Sequence, residues 1–276
     1  MSINQFYLLL NFLSYFRMPL ISAVIITLNE EKNIGKCLDS LKSVADEIVV
    51  VDSFSTDETE RFAKERGAKF IKNKFDNYVA QHEFADKQAT HDIILTIDAD
   101  EVLSNELVDS IQKVKKYWRC DGYSMNRMTN YCGKWIKHSG WYPDIKLRLY
   151  DRRKGKWMGQ KIHERFILFE GSSKGHLKGD LLHFSYFSIS QHINQANKFT
   201  DITAFAAFEQ GRNASFFDLV FNPAFKFFRN YILHFGFLDG YYGYVICRIS
   251  AHATFLKYIK LRQLHLEKKQ KNKRWS

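Results

Sequence analysis

The chain has 276 residues, of which 45% are hydrophobic and 26% charged, as in an ordinary globular protein with one large or two modest domains. Four cysteines without a C-x-x-C pair favour a reduced cytosolic protein over a disulfide scaffold. The net charge of +11 is uneven, because residues 220–276 hold eleven Lys or Arg and only two acids, Asp239 and Glu267. Such a basic tail attracts polyanions, either nucleic acid or an anionic membrane surface.

Residues 1–18 precede the first predicted strand and are expected to form an N-terminal extension. The segment from Phe6 to Phe16 is apolar, but it lacks the basic start and the small-residue cleavage site of a secretory signal. Met18 would make a natural start, so residues 1–17 are interpreted as an upstream extension. No run in the sequence reaches the ~20 apolar residues that cross a bilayer.

The first hundred residues alternate between β-branched runs and segments with apolar residues at helical spacing. Strands are predicted at residues 21–27, 47–51, 68–71 and 92–97, and helices at 30–44, 56–66 and 79–89. Strands that alternate with helices predict a mostly parallel sheet with helices on both faces, which is an α/β fold. Short strand-like pieces follow between residues 122 and 183, and the chain is predicted to be helical after residue 190.

Polar side chains follow three of the predicted strands at the point where each strand ends. Thr27 and Glu30 follow the first strand, Asp52 ends the second, and Asp98 and Asp100 end the fourth. Ligands of such sheets bind beyond the carboxyl ends of the strands, so these groups are expected to meet at one edge. Residues i and i+2 of a strand share a face, and paired carboxylates suit a hard divalent cation. Taken alone, Asp-x-Asp is also typical of a solvated acidic turn.

Two common nucleotide-binding motifs are absent from the sequence. No G-x-G-x-x-G follows the first strand, and G-x-x-x-x-G-K-[ST] does not occur. Dinucleotide-dependent dehydrogenases and P-loop NTPases are therefore disfavoured.

Three ordered motifs resemble those of the inverting, nucleotide-sugar-dependent glycosyltransferases of family 2. They are AVIITLNEE at residues 23–31, VVVDSFSTDET at 49–59 and DADE at 98–101. The resemblance implies a GT-A fold, a UDP-sugar donor and a divalent cation, Mg²⁺ or Mn²⁺, on the diphosphate. It implies that Thr27 and Glu30 line the nucleotide site, that Asp52 accepts a hydrogen bond from uracil, that Asp98 lies against the ribose or the metal shell, and that Asp100 binds the metal.

Further candidates lie outside these motifs. An inverting transfer needs a base for the acceptor hydroxyl, and Glu164 is favoured for that role, with Asp144 as the alternative. Glu164 could instead form a structural salt bridge. Lys87 is a candidate phosphate contact or part of a solvated helix face. His183 is a candidate metal ligand, although a lone His among apolar residues is more often a packed core side chain.

Within family 2 the chain is similar to bacterial lipopolysaccharide inner-core β-1,4-glucosyltransferases. The stretches that carry this resemblance are residues 148–153, 162–164, 236–243 and 255–258. It implies UDP-glucose as donor, a heptose of the lipid-linked core oligosaccharide as acceptor, and metal-assisted direct displacement. The alternatives are the same fold with another acceptor, such as a polyprenyl phosphate, a capsule or another surface glycan, or a non-enzymatic basic nucleic-acid-binding protein.

Two regions are predicted after the extension. Residues 19–188 would form the GT-A catalytic domain, and residues 189–276 a basic, amphipathic, helical region that binds the cytoplasmic face of the inner membrane peripherally. Phe221, Phe225, Phe228 and Ile232 fall on one helical face of this region. No nucleic-acid partner is expected. An ordinary helical subdomain with its Phe side turned inwards is the alternative.

Overall fold

The computed structural model describes residues 18–159 and 164–274, with side chains described up to residue 270. Most of the predicted N-terminal extension therefore lies outside the described residues. The chain divides into two compact units. Unit 1 comprises the described parts of Met1–Arg127 and Ile145–His183, and unit 2 those of Met128–Asp144 and Phe184–Ser276. The predicted boundary near residue 188 stays a prediction about domain organisation.

The described strands and helices are numbered here in chain order. The strands are β1 Ile21–Thr27, β2 Glu47–Asp52, β3 Lys69–Lys72, β4 Ile93–Asp98, β5 Glu101–Leu103, β6 Gly122–Tyr131, β7 Lys134–Trp135, β8 Asp144–Asp151, β9 Gly155–Met158, β10 Arg165–Leu168 and β11 Lys174–Tyr186. The α-helices are α1 Ile34–Leu41, α2 Thr59–Glu65, α3 Tyr78–Gln88, α4 Asn105–Lys116, α5 Ile189–Glu209, α6 Phe216–Phe228 and α7 Gly240–Arg274.

The main sheet has the strand order β3-β2-β1-β4-β8-β6-β11-β5, with β7 paired to β6, and β9 and β10 form a separate pair. Strands β3, β2, β1 and β4 are parallel, as predicted, because the helices α1, α2 and α3 provide the crossovers. Beyond β4 the predicted parallel arrangement ends, since β8 pairs antiparallel with β4 and β5 antiparallel with β11. The sheet is therefore mixed.

The central strands are buried on both faces, which explains their continuous apolar sequences. On one face of the sheet, Ile34, Leu38 and Leu41 of α1 pack into the core that also contains Leu107 and Ile111 of α4. These residues repeat at helical spacing, so each helix buries one apolar stripe. A second core contains Val24, Ala85, Tyr150, Trp157 and Phe166.

A tight contact between α4 and β11 fixes the register of the last strands. The Ser104 hydroxyl caps α4 by accepting from the Leu107 amide at 3.3 Å, and it also accepts from the Asp180 amide at 3.0 Å. Gly179 has a φ of +90°, and a Cβ there would lie 2.3 Å from the Leu107 nitrogen. This packing accompanies the pairing that sets His183 opposite Glu101.

Unit 2 is largely helical. Ser188 and Ser215 form capping boxes at the starts of α5 and α6, and both helices pack against α7. Between α6 and α7, the buried Asp239 accepts hydrogen bonds from the backbone amides of Lys137 and His138 at 3.1 and 3.0 Å. None of the described helices has the length and apolarity that a membrane crossing requires.

Candidate active site

The carboxyl ends of β1, β2 and β4 place three predicted site residues side by side. Thr27 pairs with Asp52, and Ile26 pairs with Asp98. The Asp52 carboxylate is buried and accepts hydrogen bonds from the Ser55 hydroxyl and, at 2.8 Å, from the Ser55 amide. The Thr27 hydroxyl is buried and has no hydrogen-bond partner among the described residues. At these strand ends the Asp52 carboxylate already has hydrogen-bond donors, whereas the Thr27 hydroxyl is available for a hydrogen bond with a ligand.

Glu30 lies in the loop after β1, near the same edge. Its carboxylate accepts from the Asn33 side chain at 2.8 Å, and its amide donates to the Thr59 hydroxyl at 2.8 Å. Burial raises the pKa of Glu30, and the negative charges of Asp100 and Asp57 add to this effect. The electrostatic effect of Asp100 shows that the two predicted site residues lie near each other.

Arg127 and the buried Arg148 hold Asp98 and the buried Glu101 in one ion-pair network. The Arg148 Nη2 donates to Asp98 Oδ2 at 2.6 Å and to Glu101 Oε1 at 3.0 Å, and Arg127 Nη1 reaches Glu101 at 3.3 Å. Burial raises the pKa of Glu101. For Asp98, burial opposes ionisation, but the charge of Arg148 outweighs it and lowers the pKa of Asp98 below its ordinary value. Asp98 is therefore held as a carboxylate in a fixed orientation.

Asp100 and His183 meet although 83 positions separate them in the chain. Asp100 follows β4, and the pairing of β5 with β11 brings His183 within hydrogen-bonding distance, with His183 Nε2 3.1 Å from Asp100 Oδ2. Burial opposes protonation of His183, yet the hydrogen bond and charge of Asp100 raise its pKa. The second ring nitrogen, Nδ1, is buried and has no partner among the described residues.

A carboxylate oxygen and an imidazole nitrogen are both ligands of divalent transition metals. Residues 18–159 and 164–274 contain no group of three or more His, Cys, Asp or Glu side chains arranged to hold a metal. The Asp100–His183 pair therefore fits a cation only as part of a shell that substrate oxygens or water would complete.

Glu164 lies immediately before β10 and is half-buried. Burial raises the pKa of Tyr78, and the negative charges of Glu164 and Asp98 add to this effect. Glu164 and Asp98 are therefore both close enough to act electrostatically on the Tyr78 phenol. The alternative base, Asp144, is the first residue of β8 and belongs to unit 2. The neighbouring His163 lies outside the described residues.

Lys87 is a predicted site residue that the structure places away from the acidic edge. It lies exposed in the last turn of α3. The next residue, Gln88, accepts a hydrogen bond through its carbonyl from Lys69, the first residue of β3, at 2.7 Å. Because α3 runs back along the parallel strands, its last turn lies at their amino ends, opposite the acidic edge. This position does not support the predicted phosphate contact.

Sequence reasoning missed a buried cluster on α3. The His82 ring stacks on Trp157 with centroids 3.9 Å apart, and burial lowers the pKa of His82 to about 4. One turn later, Asp86 accepts from Trp157 Nε1 at 2.9 Å and from the Tyr150 hydroxyl at 3.0 Å. Burial raises the pKa of Asp86 to about 6. The i, i+4 spacing of His82 and Asp86 on one helix was the available signal.

Comparison with known sequences identifies the family. The sequence model of glycosyl transferase family 2 matches residues 22–174, a range that contains every predicted site residue except His183. The chain belongs to glycosyltransferase family 2. It is therefore a transferase, and its fold is the GT-A fold of that family, a mixed sheet with flanking helices and a C-terminal helical region.

Relatives match over almost the whole chain. An uncharacterized glycosyltransferase of Rickettsia typhi is 34% identical over 91% of this chain and 89% of its own length. The lipopolysaccharide core biosynthesis glycosyltransferase LpsC of Rhizobium meliloti is 32% identical over 93% of this chain and 96% of its own length. These two matches extend well beyond the catalytic motifs into the helical region.

Solved structures match over a shorter part. Glucosyl-3-phosphoglycerate synthase from Mycobacterium tuberculosis, crystallised with Mn²⁺, UDP and glucosyl-3-phosphoglycerate, is 23% identical over 41% of this chain and 44% of that protein, with a TM-score of 0.35. The TarS protein of S. aureus is 15% identical over 66% of this chain and 39% of that protein, with a TM-score of 0.41.

Proposed function

We propose that this chain is an inverting glycosyltransferase that moves a hexose, glucose from UDP-glucose, onto a heptose of the lipopolysaccharide inner core. The observation that carries the proposal is the sheet edge at which Thr27, Asp52 and Asp98 end adjacent strands and Asp100 meets His183. Family membership supplies the reaction class, and the likeness to a lipopolysaccharide core glycosyltransferase over 93% of this chain supports the acceptor class.

The nucleotide would bind at the ends of β1 and β2. The unpartnered hydroxyl of Thr27 and the carboxylate of Glu30 would line this site. Asp52 would accept a hydrogen bond from the uracil ring, and its two bonds to Ser55 keep its carboxylate in place for this contact. Asp98, oriented by Arg148, would face the ribose or the metal shell.

A divalent cation, Mg²⁺ or Mn²⁺, would be held by Asp100 and His183, with Asp98 near the shell. When bound, such a cation neutralises the charge that develops on a leaving diphosphate. The protein's own contribution is to keep Asp100 at the turn after β4 and to hold His183 beside it through the pairing of β5 with β11.

Glu164 would act as the base. The acceptor hydroxyl attacks the anomeric carbon, the bond from that carbon to the diphosphate oxygen breaks, and the acceptor proton passes to Glu164. We expect Glu164→Gln to lower kcat by about 10²–10⁴-fold while UDP affinity is kept. Asp144→Asn is the matched comparison, and a larger kcat loss there than in Glu164→Gln would transfer the role to Asp144. Loss of UDP affinity in Glu164→Gln would also argue against Glu164 as the catalytic base.

One experiment tests donor and acceptor together. The purified protein is offered a panel of radiolabelled UDP-sugars with lipopolysaccharide whose core is truncated after heptose, and the labelled product is identified. We expect transfer from UDP-glucose with inversion at the anomeric carbon. Transfer only to a polyprenyl phosphate or a capsule glycan in parallel assays would retain the enzyme class and replace the acceptor.

We also propose that unit 2 binds the cytoplasmic face of the inner membrane peripherally. Phe217, Phe221 and Phe225 of α6 are 69%, 60% and 58% exposed; Lys226 lies in the last turn of this helix and Arg229 follows it. An apolar helical face with nearby cations is typical of interfacial membrane binding. Basic residues near an anionic leaflet contribute about 1 kcal/mol each.

A further inference from the structure

A groove of about 440 Å³ lies within unit 2, between α6 and α7. Its walls are formed by residues of these two helices: Pro223, Ala224, Phe227, Arg248, Ala251, His252 and Phe255. Five of the seven are apolar, and on α7 the lining positions recur at i, i+3, i+4 and i+7, so they share one helical face. The groove is therefore mostly apolar, and its two polar lining residues, Arg248 and His252, both lie on α7.

The charge of the groove has a single sign. The Arg248 guanidinium lies 5.6 Å from the centre of the Phe227 ring, which holds the cation against the groove wall. Between Gly240 and Leu266, the sequence of α7 contains no Asp or Glu. The one acid of α6, Asp218, is engaged in the capping box, where it accepts from the Ser215 hydroxyl at 2.7 Å. No acid of these two segments neutralises Arg248.

The surface that continues from the groove along α6 is also apolar. Phe225 and Phe228, next to the lining residues Ala224 and Phe227, are 58% and 49% exposed. Exposed apolar patches of this kind mark interaction sites. An alkyl chain would pack against the apolar walls of the groove, and an anionic group would pair with Arg248. An anionic amphiphile provides both.

We propose that this groove binds a single membrane phospholipid, with an acyl chain between α6 and α7 and its anionic headgroup on Arg248. The inference rests on the proposed membrane association and deepens it, because it adds a headgroup-selective site to a general apolar surface. His252, one turn after Arg248 on the same wall, lies where it can contact the same headgroup.

The test uses a monomeric short-chain lipid, so that it does not depend on binding to a bilayer. Binding of dihexanoyl phosphatidylglycerol to the full chain is measured by calorimetry below its micellar concentration, beside dihexanoyl phosphatidylcholine and inorganic phosphate. We expect phosphatidylglycerol to bind at least about tenfold more tightly than either. Equal affinity for phosphatidylcholine, or for phosphate alone, would overturn the proposal.

Matched variants locate the site. Arg248→Gln should weaken phosphatidylglycerol binding about tenfold, while Arg262→Gln, an exposed arginine of the same helix outside the groove, should not change it. Ala251→Phe fills the groove and should abolish binding; if that variant does not fold, Ala224→Phe, at an exposed wall position, replaces it. Two outcomes would contradict the proposal. One is unchanged phosphatidylglycerol binding in the variant whose groove is filled; the other is analytical sedimentation that shows the groove to be only a contact between two copies of the chain. Liposome binding and sugar transfer are measured in parallel, which separates failure of this site from failure of the proposed function.

Discussion

In unit 1, Glu101 is fully buried and its carboxylate is bound by two arginines, whereas in unit 2 Phe217 leaves 69% of its surface in solvent. Each region reverses the usual distribution of residues, in which charged groups lie outside and aromatic groups inside. Burying charge is costly, and it is stable only when every partner is in place. Exposing phenylalanine is costly in water and favourable only when another apolar phase covers it.

The two reversals predict opposite responses to mutation. In unit 1, a single substitution in the buried network should damage stability or chemistry. In unit 2, a single exposed aromatic residue should matter little in water and should matter when lipid is present.

The largest effect is expected for Asp100→Ala. Loss of this carboxylate should lower metal-dependent turnover of the UDP-sugar by about a thousandfold or more, because several kcal/mol of charge stabilisation are lost. Steady-state kinetics with and without EDTA measure it, and Asp109→Ala, an exposed acid on α4, is the control. Activity that survives the substitution, or that ignores EDTA, would remove Asp100 from the metal site.

Arg148→Met should destabilise the fold by about 3 kcal/mol, since the buried Glu101 keeps only Arg127 and Asp98 loses its 2.6 Å ion pair. Urea denaturation monitored by tryptophan fluorescence gives the free energy of unfolding. Arg61→Met, which removes two exposed ion pairs, with Glu58 and with Glu65, should change the midpoint little. Similar midpoints for the two variants would mean that the buried network is not a stabilising element.

Asp86 should make stability depend on pH. Burial raises its native pKa to about 6, above the ordinary value of 3.8, so the native state holds this proton more tightly than the unfolded chain does. Stability from this group is therefore present below about pH 4 and is lost as the pH rises through about 6. Asp86→Asn should not lose stability in this way, because asparagine does not titrate. The free energy of unfolding of the variant minus that of the wild type should therefore rise by about 2–3 kcal/mol as the pH increases from about 4 to above 6. A difference that is flat with pH would contradict the raised pKa.

Phe217→Ser should weaken binding to phosphatidylglycerol liposomes about tenfold while leaving the melting temperature almost unchanged. The matched control is Tyr117→Ser in unit 1, since Tyr117 is 67% exposed and Phe217 69%. Sedimentation with sucrose-loaded vesicles measures the effect. Equal loss of binding in both variants, or a large fall in melting temperature for Phe217→Ser, would favour the alternative of an ordinary helical subdomain.

Much of the parallel half of the fold is predictable from local sequence. Strand β1 has the predicted bounds because it is buried on both faces, and its apolar run is uninterrupted. Helix α1 begins at Ile34 and not at Glu30, because residues 31–33 form a turn whose Asn33 and Ile34 amides both donate to the Glu30 carbonyl, and Asn33 is the residue that precedes the helix. Turn geometry of this kind has no periodic signature in the sequence.

Contacts between residues at the ends of neighbouring parallel strands could be predicted from the sequence. Contacts that depend on the pairing of strands far apart in the chain could not. Thr27 and Asp52 adjoin because parallel neighbours end at the same edge. The contact between Arg148 and Asp98 requires the antiparallel pairing of β8 with β4, which joins residues 50 positions apart. Lys87 was placed at the site because its helix precedes the acidic strand, but the direction of that helix carries it to the other edge.

The Ser104 hydroxyl accepts hydrogen bonds from the Leu107 amide in the first turn of α4 and from the Asp180 amide in β11, 76 positions later in the chain. Gly179, which carries no side chain at all, is what permits that approach. A strand shifted by one residue turns every side chain to its opposite face, and His183 would then point away from Asp100. A substitution at position 179 should therefore disturb the proposed Asp100–His183 site, although Gly179 itself packs against α4.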